Sequence, residues 1–168
     1  MKAFLDFLDL VYGWFRKGAE FLQAPFLLAV RLYWGWQFWM SGTGKLADIS
    51  KVTDFFTSLG IPWPHFMAYF IAYLEAGGGI LLILGLGARL ISLPLVIDMI
   101  VAYIRADREA LGYIFSADSS DKFYKADPFT FLFASLIILI FGAGALSVDR
   151  IIKGFFTSRK KSGATLAT

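Results

Sequence analysis

The chain contains no cysteine, which excludes disulfides, thiolate metal sites and thiol–disulfide chemistry within it and leaves the redox poise of its compartment unread. It has one histidine, His65, so bis-histidine haem ligation is excluded and a single axial contact to a haem or pigment is the most that His65 could supply. An interfacial, hydrogen-bonding histidine is the simpler reading of the same residue. Charge is also scarce, at 17% of residues, and no basic stripe with interleaved aromatics offers a nucleic-acid groove. No nucleophile with its base, no metal-ligand cluster and no phosphate loop can be assembled, so neither catalytic nor metal-binding residues are assigned.

What fills the chain instead is apolar surface: 58% of residues are hydrophobic and 18% aromatic, with 18 phenylalanines. A soluble domain of 168 residues has no interior large enough for this, so the excess must face lipid or a partner. The apolar runs predict four membrane spans, over 25–42, 66–86, 90–104 and 128–146. The glycine-punctuated turn Gly85-Leu86-Gly87-Ala88-Arg89 joins the second and third as an antiparallel hairpin. The expected fold is therefore all-α: a polytopic four-helix membrane domain over 25–152, preceded by a segment over 1–24 and followed by a basic cytoplasmic tail over 153–168. The stretch from Arg105 to Asp127 reads as an extramembrane loop whose Tyr113-Ile114-Phe115 dips into the interface.

In the first segment Asp6, Asp9, Gly13, Arg16, Lys17 and Glu20 fall within an arc of about 100° on a helix. The opposite face is aromatic and aliphatic, which predicts an amphipathic helix in the membrane interface with Tyr12 and Trp14 at headgroup level. Asp6 and Asp9 interrupt the first apolar stretch, so a cleavable signal peptide is not expected. Basic residues set the orientation. With both termini cytoplasmic, nine lysines and arginines fall inside and six outside, and seven acidic residues from Asp48 to Asp127 fall on the outer side. The run Arg159-Lys160-Lys161 then meets anionic lipid at the inner surface.

Three ionisable residues lie inside the expected spans: Arg31, Glu75 and Asp98. A lone charge at such depth costs at least about 2.5 kcal/mol, so each needs a partner or a wet niche. Each also lies on a stripe of small residues at helical spacing. Arg31 shares one with Gly35, Phe38, Gly42 and Lys45; Glu75 with Ala68, Ala72 and Gly79; Asp98 with Pro94, Ala102 and Arg105. Membrane helices approach each other along such stripes, so Gly35, Gly42, Ala72, Gly79, Ala102 and Gly142 are expected at helix contacts. Counted from the cytoplasmic ends, Arg31, Asp98 and Glu75 lie roughly 10, 13 and 17 Å deep, which predicts an Arg31–Glu75 pair with Asp98 beside it. That cluster reads either as a structural ion pair or as a site for a quinone, a lipid headgroup or a proton. Tyr33, Trp34, Trp36 and Trp39 offer aromatic faces to a quinone or pigment ring, or simply pack between helices.

Several motifs resemble one family. Arg31 through Leu46 ends in Ser41-Gly42-x-x-Lys45-Leu46; Gly60-Ile61-Pro62 and Ala72-Tyr73-Leu74-Glu75 follow. Then come Gly77-Gly78-Gly79 running into Ile80 through Leu86, Arg89, and the closing Gly142 through Asp149. In order and spacing these are similar to the DoxX family of small four-helix membrane proteins, over roughly 27–152. The resemblance implies a membrane subunit of quinone-linked oxidoreductases, thiosulfate:quinone enzymes among them, or a membrane partner in a redox-stress complex. Two departures, Ala145 where family members often carry a basic residue and the N-terminal extension, imply adaptation to a particular partner.

The functional expectation is a non-catalytic accessory subunit of a larger quinone-linked electron-transfer complex, respiratory or photosynthetic, in a bacterial or archaeal cytoplasmic membrane. No cofactor is expected to be held firmly by this chain alone; quinone, lipid or pigment would sit at a subunit interface. The alternatives are a stand-alone quinone- or lipid-binding membrane protein and, less favoured because no broken-helix pair or inverted repeat is visible, a small proton-coupled transporter.

Overall fold

The computed structural model describes residues 2–114 and 121–155, with side chains from residue 5 onward. Phe115 and most of the basic tail, including Arg159-Lys160-Lys161, lie outside the described residues. Everything regular among the described residues is helical: α1 (Lys2–Ala47), α2 (Ile49–Ser58), α3 (Pro64–Leu84), α4 (Ala88–Arg105), α5 (Arg108–Gly112), α6 (Asp121–Lys125) and α7 (Pro128–Phe141). A further helical run occupies 148–155.

Four of these helices close a ring in which α1 packs on α3, α3 on α4, α4 on α7 and α7 back on α1. Each neighbour runs antiparallel to the last. Gly35 lies against Gly79 and Ile83 while Gly42 lies against Ala72 and Ala76, so numbers rise on α1 as they fall on α3. Gly78 meets Ile91 and Leu95 on α4. Arg89, at the start of α4, reaches Ile140 at the end of α7. Phe131 stacks edge-on against Trp34 and Phe38 of α1, at centroid separations of 5.1 and 4.8 Å. Phe38, Leu82, Leu95 and Ile138, one from each helix, are fully buried at the centre.

The closest contact, α1 on α3, follows from glycine. A Cβ added at Gly42 would lie 2.6 Å from the Ala72 carbonyl oxygen and 2.8 Å from Ala76 Cα, and one at Gly35 would lie 2.8 Å from the Gly79 carbonyl. These are backbone atoms and cannot move aside, so the two helices meet at this distance only because side chains are missing. Gly35, Gly42, Ala72 and Gly79 thus sit together in one interface. Ala102 is half-buried near the end of α4, where its carbonyl accepts the N–H groups of Ala106 and Asp107. Gly142 lies against the Arg89 side chain of α4 and also ends α7 with a φ of 80°, a conformation that a Cβ opposes.

The element boundaries differ from the expected spans in three places. α1 does not start at residue 25 but runs unbroken through Pro25. The division near residue 24 is one of burial: residues 5–24 are almost all exposed, and the buried stripe Leu27, Arg31, Gly35, Phe38, Gly42 begins just after it. The last span is a helix only to Phe141, after which 142–147 is an irregular strap. The connections are not bare loops either, since α2, α5 and α6 occupy them. Asp48 caps α2, its carboxylate accepting the Lys51 N–H at 3.2 Å, and Thr53 and Thr57 bond back into the preceding turn.

Around its apolar centre the bundle also buries charge, and it exposes aliphatic surface. Arg31, Glu75, Asp98, Ser92 and Ser135 are buried, while Ile80, Leu84, Leu90, Leu93, Ile97, Ile100, Ile104, Phe133 and Ile140 face outward. Water would penalise both halves of that arrangement; lipid favours it. Among the described residues α3 alone, at 21 residues with mean hydropathy 1.8, meets both the length and the hydropathy of a membrane-crossing helix, and α7 is a shorter apolar helix.

Candidate functional site

The α1–α3 register separates residues expected to meet. Arg31 lies opposite Gly85, where its guanidinium occupies the space that a Cβ would take. Glu75 lies opposite Gly42 and Ser41, about 15 Å further along α1 at 1.5 Å per residue. The expected Arg31–Glu75 pair does not form. Depth reckoned from the ends of apolar runs misplaced Arg31, because the helix continues past those ends and packing, not hydropathy, sets the register.

Lys45 takes the place of Arg31. Its ammonium forms a salt bridge with the Glu75 carboxylate at Oε2 and donates to Ser41 Oγ at 2.8 Å. The Lys45 side chain keeps 26% of its surface exposed, against 3% for Glu75. The signal was present in the sequence, since Lys45 is on the same stripe as Gly42 and Gly35. Asp98, on α4, completes the group. It is buried, its carboxyl lies at side-chain hydrogen-bonding distance from Glu75 with Lys45 beyond, and its Oδ2 has no hydrogen-bond donor. Three helices therefore each send one ionisable side chain to a common point, two acids to one base.

Arg31 belongs to a separate arrangement at the other end of the bundle. It is 1% exposed, and its Nη2 donates to the Leu146 carbonyl in the strap, with the opposite charge of Asp149 acting on it. Asp149 accepts the N–H groups of Gly87 at 2.8 Å and Ala88 at 3.2 Å. It thus caps the first turn of α4 from 61 residues away, where Gly87 has no side chain to do so. The Asp149 N–H donates in turn to the Gly85 carbonyl at 3.1 Å, and Arg89 Nη2 to the Ile140 carbonyl at 3.0 Å. Gly85 is doubly required, by its φ of 67° and by the space Arg31 fills. The role of Asp149 was not anticipated: a cap so distant in sequence leaves no local signature.

His65 is exposed in the first turn of α3, its ring edge-on to Tyr69 at 5.2 Å. Trp34 packs between Tyr33 and Phe131 and Trp36 beside Trp39. Outside the spans, burial and the neighbouring Asp127 push Asp107 above the usual carboxylate range. Lys125, hydrogen-bonded to Asp121 at 2.8 Å, holds that carboxyl below it. Among the described residues no group of three or more His, Asp or Glu side chains is placed to hold a metal ion.

A helical bundle with charges inside and aliphatic side chains outside defines an integral membrane protein. The model of the DoxX family matches residues 26–108, which take in the α1–α3–α4 face and all three members of the Lys45–Glu75–Asp98 group. A Bacillus subtilis (strain 168) protein named "Putative oxidoreductase CatD" is 31% identical over 117 residues, covering 62% of this chain and 86% of that protein. The chain belongs to the DoxX family. No solved structure matches it.

Proposed function

We propose that this chain is a non-catalytic, membrane-embedded accessory subunit of a larger quinone-linked electron-transfer complex, in a bacterial or archaeal cytoplasmic membrane. The observation that carries the reading is the first half of α1. Residues 5–24 form some 30 Å of helix that is exposed on nearly every side, with Leu10, Trp14, Phe15 and Phe21 each more than 60% exposed. Lipid at the interface covers the apolar face of such a helix, and the face bearing Asp6, Asp9, Arg16, Lys17 and Glu20 remains for a partner. The oxidoreductase name of the relative supports a redox setting. With one histidine and no cysteine, this chain lacks the usual ligands for carrying electrons itself, so the carriers belong to partner chains.

In this reading α1 from residue 25, α3, α4 and α7 cross the bilayer, with both termini inside. α3 at about 32 Å spans it unaided, and α7 at about 21 Å relies on the 142–147 strap to complete the crossing. Cysteines introduced at Ser58 and Gly154, both exposed, are the only thiols in the protein. Ser58→Cys should label from outside intact cells and Gly154→Cys only after permeabilisation.

The assembly is tested by solubilising native membranes in mild detergent, capturing the tagged chain, and identifying co-purifying subunits and their absorbance. A redox-coloured partner that is lost when residues 2–24 are deleted supports the proposal; a colourless chain that elutes alone contradicts it. A second reading, a stand-alone quinone- or lipid-binding protein, is favoured by one observation, the Lys45–Glu75–Asp98 group, and would stand if quinone or lipid co-purified with the solitary chain.

A further inference from the structure

We propose that Glu75 and Asp98 hold one proton between them: Asp98 is the neutral acid, and its O–H is donated to the Glu75 carboxylate that Lys45 pairs. The group is a proton-binding site inside the bundle, opening toward the Lys45 end.

The inference rests on a shortage of donors. Two carboxylates stand side by side, and ionised carboxylates only accept hydrogen bonds. Of the three N–H donors on the ammonium in reach, that of Lys45, one goes to Glu75, one to Ser41 and none to Asp98. From α3 the group facing Asp98 is Glu75, and from α1 it is Lys45. α7, also packed along α4, has no ionisable side chain, and α5, which meets α4 past Arg105, carries Arg108 and Glu109. The remaining charges of α4, Arg89 and Arg105, lie near its two ends. Fully ionised, the group would bury a net negative charge with two like charges in contact, which low-dielectric surroundings oppose strongly. One added proton makes it neutral and supplies the missing donor. It settles on Asp98 because the cation touches Glu75. Exchange is directed past Lys45, since Glu75 and Asp98 are buried and Lys45 is the member whose side chain is partly exposed.

The site is independent of whether the chain joins a complex. It is read in the infrared spectrum of the full-length protein in detergent at neutral pH. A carboxylic-acid C=O band is expected that shifts when aspartate is side-chain ¹³C-labelled, does not shift when glutamate is, and moves on transfer to D₂O. Asp98→Asn should abolish the band while leaving the protein folded. If that variant fails to fold, the labelled wild-type protein still reports the aspartic acid, and Asp107→Asn, which should leave the band in place, removes the other aspartate held above the usual range. Absence of an acid band at neutral pH overturns the proposal, a band that shifts only with glutamate labelling overturns the assignment to Asp98, and a band unmoved by prolonged D₂O exposure overturns the opening past Lys45.

Discussion

The two charged ends of the bundle use their ionisable side chains differently. At the Gly85 end the bonds run between side chain and backbone: Arg31 to the Leu146 carbonyl, Arg89 to the Ile140 carbonyl, and the N–H groups of Gly87 and Ala88 to Asp149. At the other end Lys45, Ser41, Glu75 and Asp98 answer one another. Backbone partners are always present and cannot titrate, so charges bound to them fasten the chain. A group made of side chains can gain or lose a proton, and its energy depends on which member carries it. The same cost of burying charge thus produces a latch at one end and a candidate site at the other.

The sharpest test of that contrast is Lys45. Lys45→Met leaves Glu75 and Asp98 without a cation and is expected to cost about 3–5 kcal/mol, the usual penalty for stranding one partner of a buried pair. Adding Glu75→Gln should recover part of the loss, with an interaction energy of about 0.5–3 kcal/mol in a double-mutant cycle by thermal unfolding in detergent. Arg31→Ala combined with Glu75→Gln should instead be additive within about 0.5 kcal/mol, because the two lie at opposite ends. A coupled result there would restore the pair expected from depth and break the comparison.

Next in size is the seam both ends depend on. Gly42→Ala places a methyl against the Ala72 and Ala76 backbone and should cost about 1–3 kcal/mol by forcing α1 from α3. It should disturb Lys45–Glu75, close to Gly42 on that seam, more than the Arg31 latch. Gly44→Ala, which meets nothing within 4 Å, is the neutral control.

At the latch, Asp149→Ala removes the distant cap of α4 and should cost about 0.5–2 kcal/mol. Its signature is faster amide exchange at Gly87 and Ala88 with no change at Glu75 or Asp98. Equal protection in variant and wild type would mean that the latch does not fasten α4.

The smallest effect is expected outside both ends, at Asp107. Burial and Asp127 raise its pKa in the folded state, so the folded protein binds this proton more tightly than the unfolded chain. Its contribution is therefore full below the unfolded carboxylate pKa and is lost as pH rises through the folded value. Asp107→Asn should leave stability unchanged in acid and raise it slightly near neutral pH, by no more than about 0.5 kcal/mol. Unfolding midpoints measured at both pH values check the sign.

Much of the molecule was legible in composition and periodicity. Sustained apolar runs marked where helices cross the ring, and the small-residue stripes through Gly35, Gly42, Ala72 and Gly79 marked the faces that meet, because both depend on residues close together in one helix. Arg31, Glu75 and Asp98 could be recognised as buried for the same reason. Which of them meet could not. Pairing depends on how far α1 slides along α3, and that is set by glycine backbones in contact, whereas the ends of apolar runs record only where lipid-compatible side chains stop. Hence Lys45, placed by sequence at the edge of a span, stands against Glu75, and Arg31, placed beside Glu75, stands against Gly85.

The sequence by itself determined that this protein is helical, that it carries far more apolar surface than water would accept, that its few internal charges lie on helix-contact faces, and that no cysteine- or histidine-rich centre can exist in it. Tertiary structure alone decided the register of α1 on α3, the gathering of Lys45, Glu75 and Asp98 from three helices, and the capping of α4 by Asp149. The physical reason is range. Hydropathy and helical periodicity are summed over neighbours in the chain, while an ion pair or a distant cap is decided within a few ångströms by residues that only packing brings together.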